Sequence, residues 1–92
     1  MKLENTIYSN YKLVLDEFNI PVAVQIDGQI RFRLYDNVIV QADCIGYIGE
    51  GIKHSGIGRI IRIRRDDTDY FFGVLMNNGE CGYVKSARLS KI

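Results

Sequence analysis

Two dipeptides, Asp27-Gly28 and Asn78-Gly79, constrain this chain more than any other feature, because each stands between runs whose apolar residues alternate. Two residues close a pair of twisted antiparallel strands most readily when both adopt positive φ, and Asp-Gly and Asn-Gly tolerate that best. Before the first pair, Val22, Val24 and Ile26 recur at a period of two; after it, Ile30, Phe32 and Leu34 take one face while Arg31, Arg33 and Tyr35 take the other. A hairpin over 22–35 is expected. A two-residue turn at Asn78-Gly79 would set Met76 opposite Cys81 and Val74 opposite Tyr83. Between the hairpins, "VIVQA" places Val38 and Val40 on one face, and "RIIRIRR" places Ile61 and Ile63 inward against Arg62 and Arg64. Strands this short, joined by tight turns, make a small barrel or sandwich.

The first twenty residues carry a different period. Ile7, Tyr11, Val14, Leu15 and Phe18 recur at steps of three and four, with Thr6 or Ser9 available as a cap and Asn19 and Pro21 as a stop. This predicts a short N-terminal helix over 1–20, packed on a barrel of residues 21–92. The expected fold is therefore mainly β, with five to six short antiparallel strands and one short helix. At 92 residues the chain is one domain with a modest single core. The opening "MKLENTIYSNYK" has no apolar stretch of a secretory leader, so a cytoplasmic protein without a membrane span is expected.

The stretch "GEGIKHSGIGRIIRIRR" invites chemical readings that fail at particular positions. Gly51 and Gly56 have phosphate-loop spacing, but Ile57-Gly58 stand where lysine and a hydroxyl are needed. A dinucleotide fingerprint would need glycine at His54 or at Ile61. Cys44 and His54, with Asp43 nearby, have nothing in the sequence to orient them as nucleophile and base. One histidine and two separated cysteines fall short of a structural zinc site, and "DDTD" lacks the glycine and distal glutamate of a calcium loop. No metal, cofactor or catalytic set is expected, and Cys44 and Cys81 read as buried or half-buried free thiols. From Asp43 to Gly58 five glycines interrupt every period, which predicts a long mobile connection.

Charge is uneven. Residues 1–46 hold four basic groups and six acids, while residues 47–92 hold eight basic groups and five acids. Arg59, Arg62, Arg64 and Arg65 could gather with Lys53, His54, Lys85, Arg88 and Lys91 on one wall, interleaved with exposed Tyr47, Tyr70 or Tyr83 as stacking platforms. Asp66, Asp67 and Asp69 at the end of the same strand oppose a phosphate backbone, and a pI near 7.8 is low for a dedicated nucleic-acid binder.

The run from Tyr70 to Ile92 resembles the closing half of Src-homology-3-like (SH3-like) barrels of the bacterial kind. Its matching features are the aromatic pair Tyr70-Phe71, the turn Asn78-Gly79, Gly82-Tyr83-Val84, the helical turn "KSAR" and a last short strand "LSKI". The resemblance implies a binding module without catalytic apparatus. Lys85 and Arg88 stand where that family's peptide readers carry a proline and a tyrosine, which argues against proline-rich ligands. The function expected is therefore protein binding by a small inhibitor or adaptor of the sort phages and mobile elements encode, occluding a site on its target. The contact residues expected are Tyr47, His54, Arg62, Arg64, Tyr70 and Phe71. The alternative is nucleic-acid binding through Arg59–Arg65, and the 22–35 hairpin, as a sheet edge, leaves a homodimer open.

Overall fold

The computed structural model describes residues 2–43, 49–65 and 69–92. Among them are nine strands in two antiparallel sheets: β1 (Lys2–Asn5), β2 (Tyr11–Leu15), β3 (Pro21–Ile26), β4 (Gln29–Arg33), β5 (Asn37–Val40), β6 (Gly56–Arg65), β7 (Tyr70–Met76), β8 (Cys81–Val84) and β9 (Leu89–Lys91). The first sheet has the order β1-β2-β3-β4 and the second β8-β7-β6-β5-β9. The protein is mainly β, and its two sheets do not join into a closed barrel. No helix among the described residues is long and apolar enough to cross a membrane.

The expected N-terminal helix is replaced by a hairpin. Glu4 pairs with Leu13 and Lys2 with Leu15, and β2 then pairs with β3, Leu13 lying opposite Val24. Leu13 and Leu15 point into the core, whereas Ile7 and Phe18, two members of the supposed helical stripe, are exposed. The turns on either side favour this outcome. The Thr6 hydroxyl donates to the carbonyls of Tyr8 and Tyr11 and accepts from Tyr8 N–H. Asp16 Oδ1 accepts from the N–H groups of Phe18 (2.8 Å) and Ile20 (3.0 Å), while Asn19 sits at φ 62°. Side chains that bond nearby backbone in this way offer an alternative to helix.

The hairpin at Asp27-Gly28 forms as expected, with φ of 52° and 81° and Ile26 opposite Gln29, but a register shift leaves Arg31 unpaired, so Ile30, expected inward with Phe32, lies opposite Gln25 and not on the face of Val24 and Phe32. Phe32 enters the core and Arg31 and Arg33 are exposed. The second turn differs from expectation by one residue. Leu75 pairs with Cys81, Val74 with Gly82 and Gly73 with Tyr83, so Met76 does not face Cys81 and Val74 does not face Tyr83. The loop is Asn77-Asn78-Gly79, closed by Gly79 N–H to Met76 O (2.9 Å) and Met76 N–H to Glu80 O (2.8 Å). Gly79 takes φ 90°, the glycine conformation that a three-residue hairpin loop requires.

The core lies between the sheets, where Leu13, Val24, Phe32, Val38, Val40, Ile52, Ile60, Phe72, Val74 and Val84 are nearly or fully buried. Full burial of such side chains contributes about 1.5–3 kcal/mol each. Aromatic contacts cross the layer: Tyr8 to Tyr11 at 5.1 Å, Tyr11 to Tyr70 at 6.1 Å, Tyr70 to Phe72 at 5.7 Å and Phe72 to Phe32 at 5.5 Å between ring centroids. The chain passes from one sheet to the other at residues 34–36. Tyr35, at φ 72°, donates its N–H to Ile60 O (2.6 Å), and Ile60 N–H returns to Asp36 O (3.0 Å).

Candidate functional site

β6 is the strand on which the sequence places most of its chemistry, and it carries a bulge. Ile60 pairs with Val74 and Arg62 with Gly73, and the register shifts between them, leaving Ile61 as the extra residue. Ile60 and Ile63 therefore face the core, and Ile61, expected inside, is 42% exposed. An extra residue bends a strand and re-aims the side chains that follow it. Here it sets Ile61 beside Arg62 and Arg64 on an outer wall.

That wall borders a groove of about 520 Å³ lined by Ile20, Pro21, Leu34, Ile61, Arg62 and Arg64, together with Asn19, Ile63 and Arg65. Ile20, on the turn between β2 and β3, is 53% exposed. Arg65 holds this turn to the end of β6: its guanidinium donates to Asn19 O (3.2 Å) and pairs with Glu4. Both partners of that ion pair are well exposed, so it contributes at most about 1 kcal/mol. On the other side of the arginines, Arg64 stands opposite Phe71 and Arg62 opposite Gly73, with Tyr83 packed over the glycine.

Of the cations the sequence groups together, several are engaged. Lys85 Nζ lies 3.1 Å from Asp69 and Arg88 Nε 3.4 Å from Asp43, while Arg59 Nε donates to Asn37 Oδ1. Arg62 and Arg64 have no carboxylate partner among the described residues. Lys53 and Lys91 likewise have none among them, but of the unpaired members of the group Arg62 and Arg64 are the ones that line this groove.

The six expected contact residues do not converge. Arg62 and Arg64 share the groove wall. Tyr70 and Phe71, expected at the surface, are only 2% and 5% exposed. Tyr70 belongs to the aromatic line through the core, and Phe71 is covered by Lys85, whose Nζ lies 5.7 Å from the ring centre. Burial pushes the Tyr70 hydroxyl well above the ordinary tyrosine range, and Tyr70 Oη has no hydrogen-bond partner among the described residues. His54 is exposed, with Nδ1 3.4 Å from Glu80 Oε1, away from the groove lining. Tyr47 lies outside the described residues, as do Cys44, Asp66 and Asp67. Cys81, expected to be buried or half-buried, is an exposed free thiol.

The described part of the connection expected to be mobile, residues 49–55, is fastened at several points. Ile52, fully buried, exchanges two backbone hydrogen bonds with Asp43 (2.7 and 2.9 Å). Ala42 N–H donates to Ser55 Oγ (2.7 Å), Tyr83 N–H to Glu50 O (2.9 Å) and Lys53 N–H to Glu80 Oε2 (2.5 Å). Gly82 permits this approach, since a Cβ there would stand 2.6 Å from the carbonyl oxygens of Glu50 and Gly51. Glu80 is held below the usual carboxylate range, chiefly by the Lys53 N–H and with smaller help from Asn78 and His54.

The groove residues missed by sequence reasoning are Ile20, Pro21, Leu34 and Ile61. The one sequence signal for them is the doubled Ile60-Ile61 in an otherwise alternating run, which a bulge resolves. Among the described residues no three His, Cys, Asp or Glu side chains gather to hold a metal ion. No protein-family model, curated protein or solved structure matches the chain.

Proposed function

We propose that this chain is a non-enzymatic protein-binding module, an inhibitor or adaptor that occludes a site on another protein through the β6 groove. The observation that carries the proposal is the exposed pairing of Ile20 and Ile61 with Arg62 and Arg64 around one groove. An apolar floor rimmed by arginine is the composition of protein interfaces, where arginine often carries a large share of the binding energy. Aliphatic side chains offer no π-face for a base to stack on, and Tyr70, one of the expected stacking platforms, is inside the core. Protein is thus favoured over nucleic acid as the partner.

An SH3-like organisation of β5 to β9 accompanies this proposal. Its support is the short turn between β7 and β8, the 3-10 turn Ser86–Arg88, and the last strand β9, which returns to pair with β5. The test compares wild-type protein with an Arg62→Glu/Arg64→Glu variant as bait in nuclease-treated lysate. Both residues are exposed, so the variant should fold. The proposal expects wild type to retain one stoichiometric protein, and the variant at least about tenfold less of it. Equal retention by both baits, or none by either, overturns it. Capture that disappears with nuclease treatment transfers the assignment to nucleic acid.

A further inference from the structure

We propose that a second groove, between the edges of β4 and β9, takes an extended acidic segment of another protein as an added strand. This inference does not depend on the β6 groove. β4 is a terminal strand of the first sheet and β9 of the second. Both edges line one open groove of about 460 Å³, with Ile26, Ile30, Phe32 and Leu89 as apolar lining and Ser86 and Ala87 at its side.

Strand direction makes the two edges compatible. β4 runs into the corner at residues 34–36, from which β5 departs; β9 is antiparallel to β5, with Lys91 opposite Val38 near the start of β5. β4 and β9 therefore both run toward the corner. A single strand inserted between them can lie antiparallel to both. Its N–H and C=O groups would meet β9 and the stretch of β4 before Arg33, whose own N–H and C=O are bonded to Asp36. Its alternate side chains would turn toward Phe32 and Leu89, and the others toward solvent.

Charge selects the occupant. Arg31 lines the β4 side and Lys91 the β9 side, and neither has an acidic partner among the described residues. The one acid in the lining, Asp27, accepts from Asn10 Nδ2 (3.2 Å). A second copy of the chain adding its own β4 edge would bring Arg31 and Arg33 alongside their counterparts, and like charges on paired strands oppose association. A strand that alternates carboxylate and apolar side chains meets both the cations and the floor.

The probe is a short fluorescein-labelled peptide of alternating glutamate and valine, titrated by anisotropy into the full chain. Saturable binding is expected, with slowed amide exchange in β4 and β9. A peptide with lysine for glutamate, and one N-methylated at alternate amides so that it cannot donate to a strand edge, should each bind at least about tenfold more weakly. Arg31→Glu/Lys91→Glu should weaken the glutamate peptide to a similar extent. The Arg62→Glu/Arg64→Glu variant should bind it as wild type does, which separates this site from the β6 groove. No saturable binding, equal binding of the N-methylated peptide, or protection confined to other strands overturns the proposal.

Discussion

Glu80 ties two parts of the chain together with one carboxylate. Its Oε2 accepts from Lys53 N–H, and its Oε1 lies near His54, so a residue on the β7–β8 turn fastens the segment leading into β6. A carboxylate held below its ordinary value of 4.5 contributes stability that is present above the unfolded pKa and is lost as pH falls through the lower folded one. Glu80→Gln should therefore melt below wild type near about pH 7, with the gap closing toward about pH 3. A gap that stays constant across thermal melts at the two pH values would remove the charge-assisted bond from this account. Tyr70 makes a different point about single residues. An aromatic residue opening a strand looks identical in sequence whether its ring faces solvent or core, and only the packing of Tyr8, Tyr11 and Phe72 around it decides.

Among the elements, the bulge in β6 and the N-terminal hairpin mark where the sequence was legible and where it was not. Asp27-Gly28 could be read directly from its turn chemistry, but the strict alternation after it could not, because a register shift at Arg31 sets Ile30 opposite Gln25 and Phe32 opposite Val24. At the N-terminus two periods compete within one window. Tyr11, Val14, Leu15 and Phe18 fit a helix, yet Tyr11, Leu13 and Leu15 also fit a strand, and the polar turn bonds of Thr6 and Asp16 favour the strand. In β6 the doubled isoleucine shows that one member must leave the alternation without showing which. The structure assigns Ile60 to the core and Ile61 to the groove. Ile60→Ala should accordingly cost about 2–5 kcal/mol, and Ile61→Thr about 0.5 kcal/mol or less, in denaturant titrations. The reverse order would place the bulge elsewhere.

For the whole molecule, two sheets share one core and leave their outer margins unequal. Covering β7 with Lys85 and Tyr83, pairing Lys85 and Arg88 with Asp69 and Asp43, and turning Ile61 outward together leave Arg62 and Arg64 as a cationic wall beside exposed isoleucines. The arginines of this site were evident from the sequence. Its apolar half was not, because Ile20 and Pro21 lie about forty residues away from Ile61 in the chain and meet it only once the turn after β2 folds against β6. The most direct measurement replaces Ile61 with a benzophenone amino acid and irradiates cells expressing the chain, with the same replacement at exposed Ile39 on β5 as comparison. Binding through the β6 groove predicts one adduct of defined mass from position 61 and none from position 39. Equal adducts at both positions, or none from a folded chain labelled at 61, would contradict it.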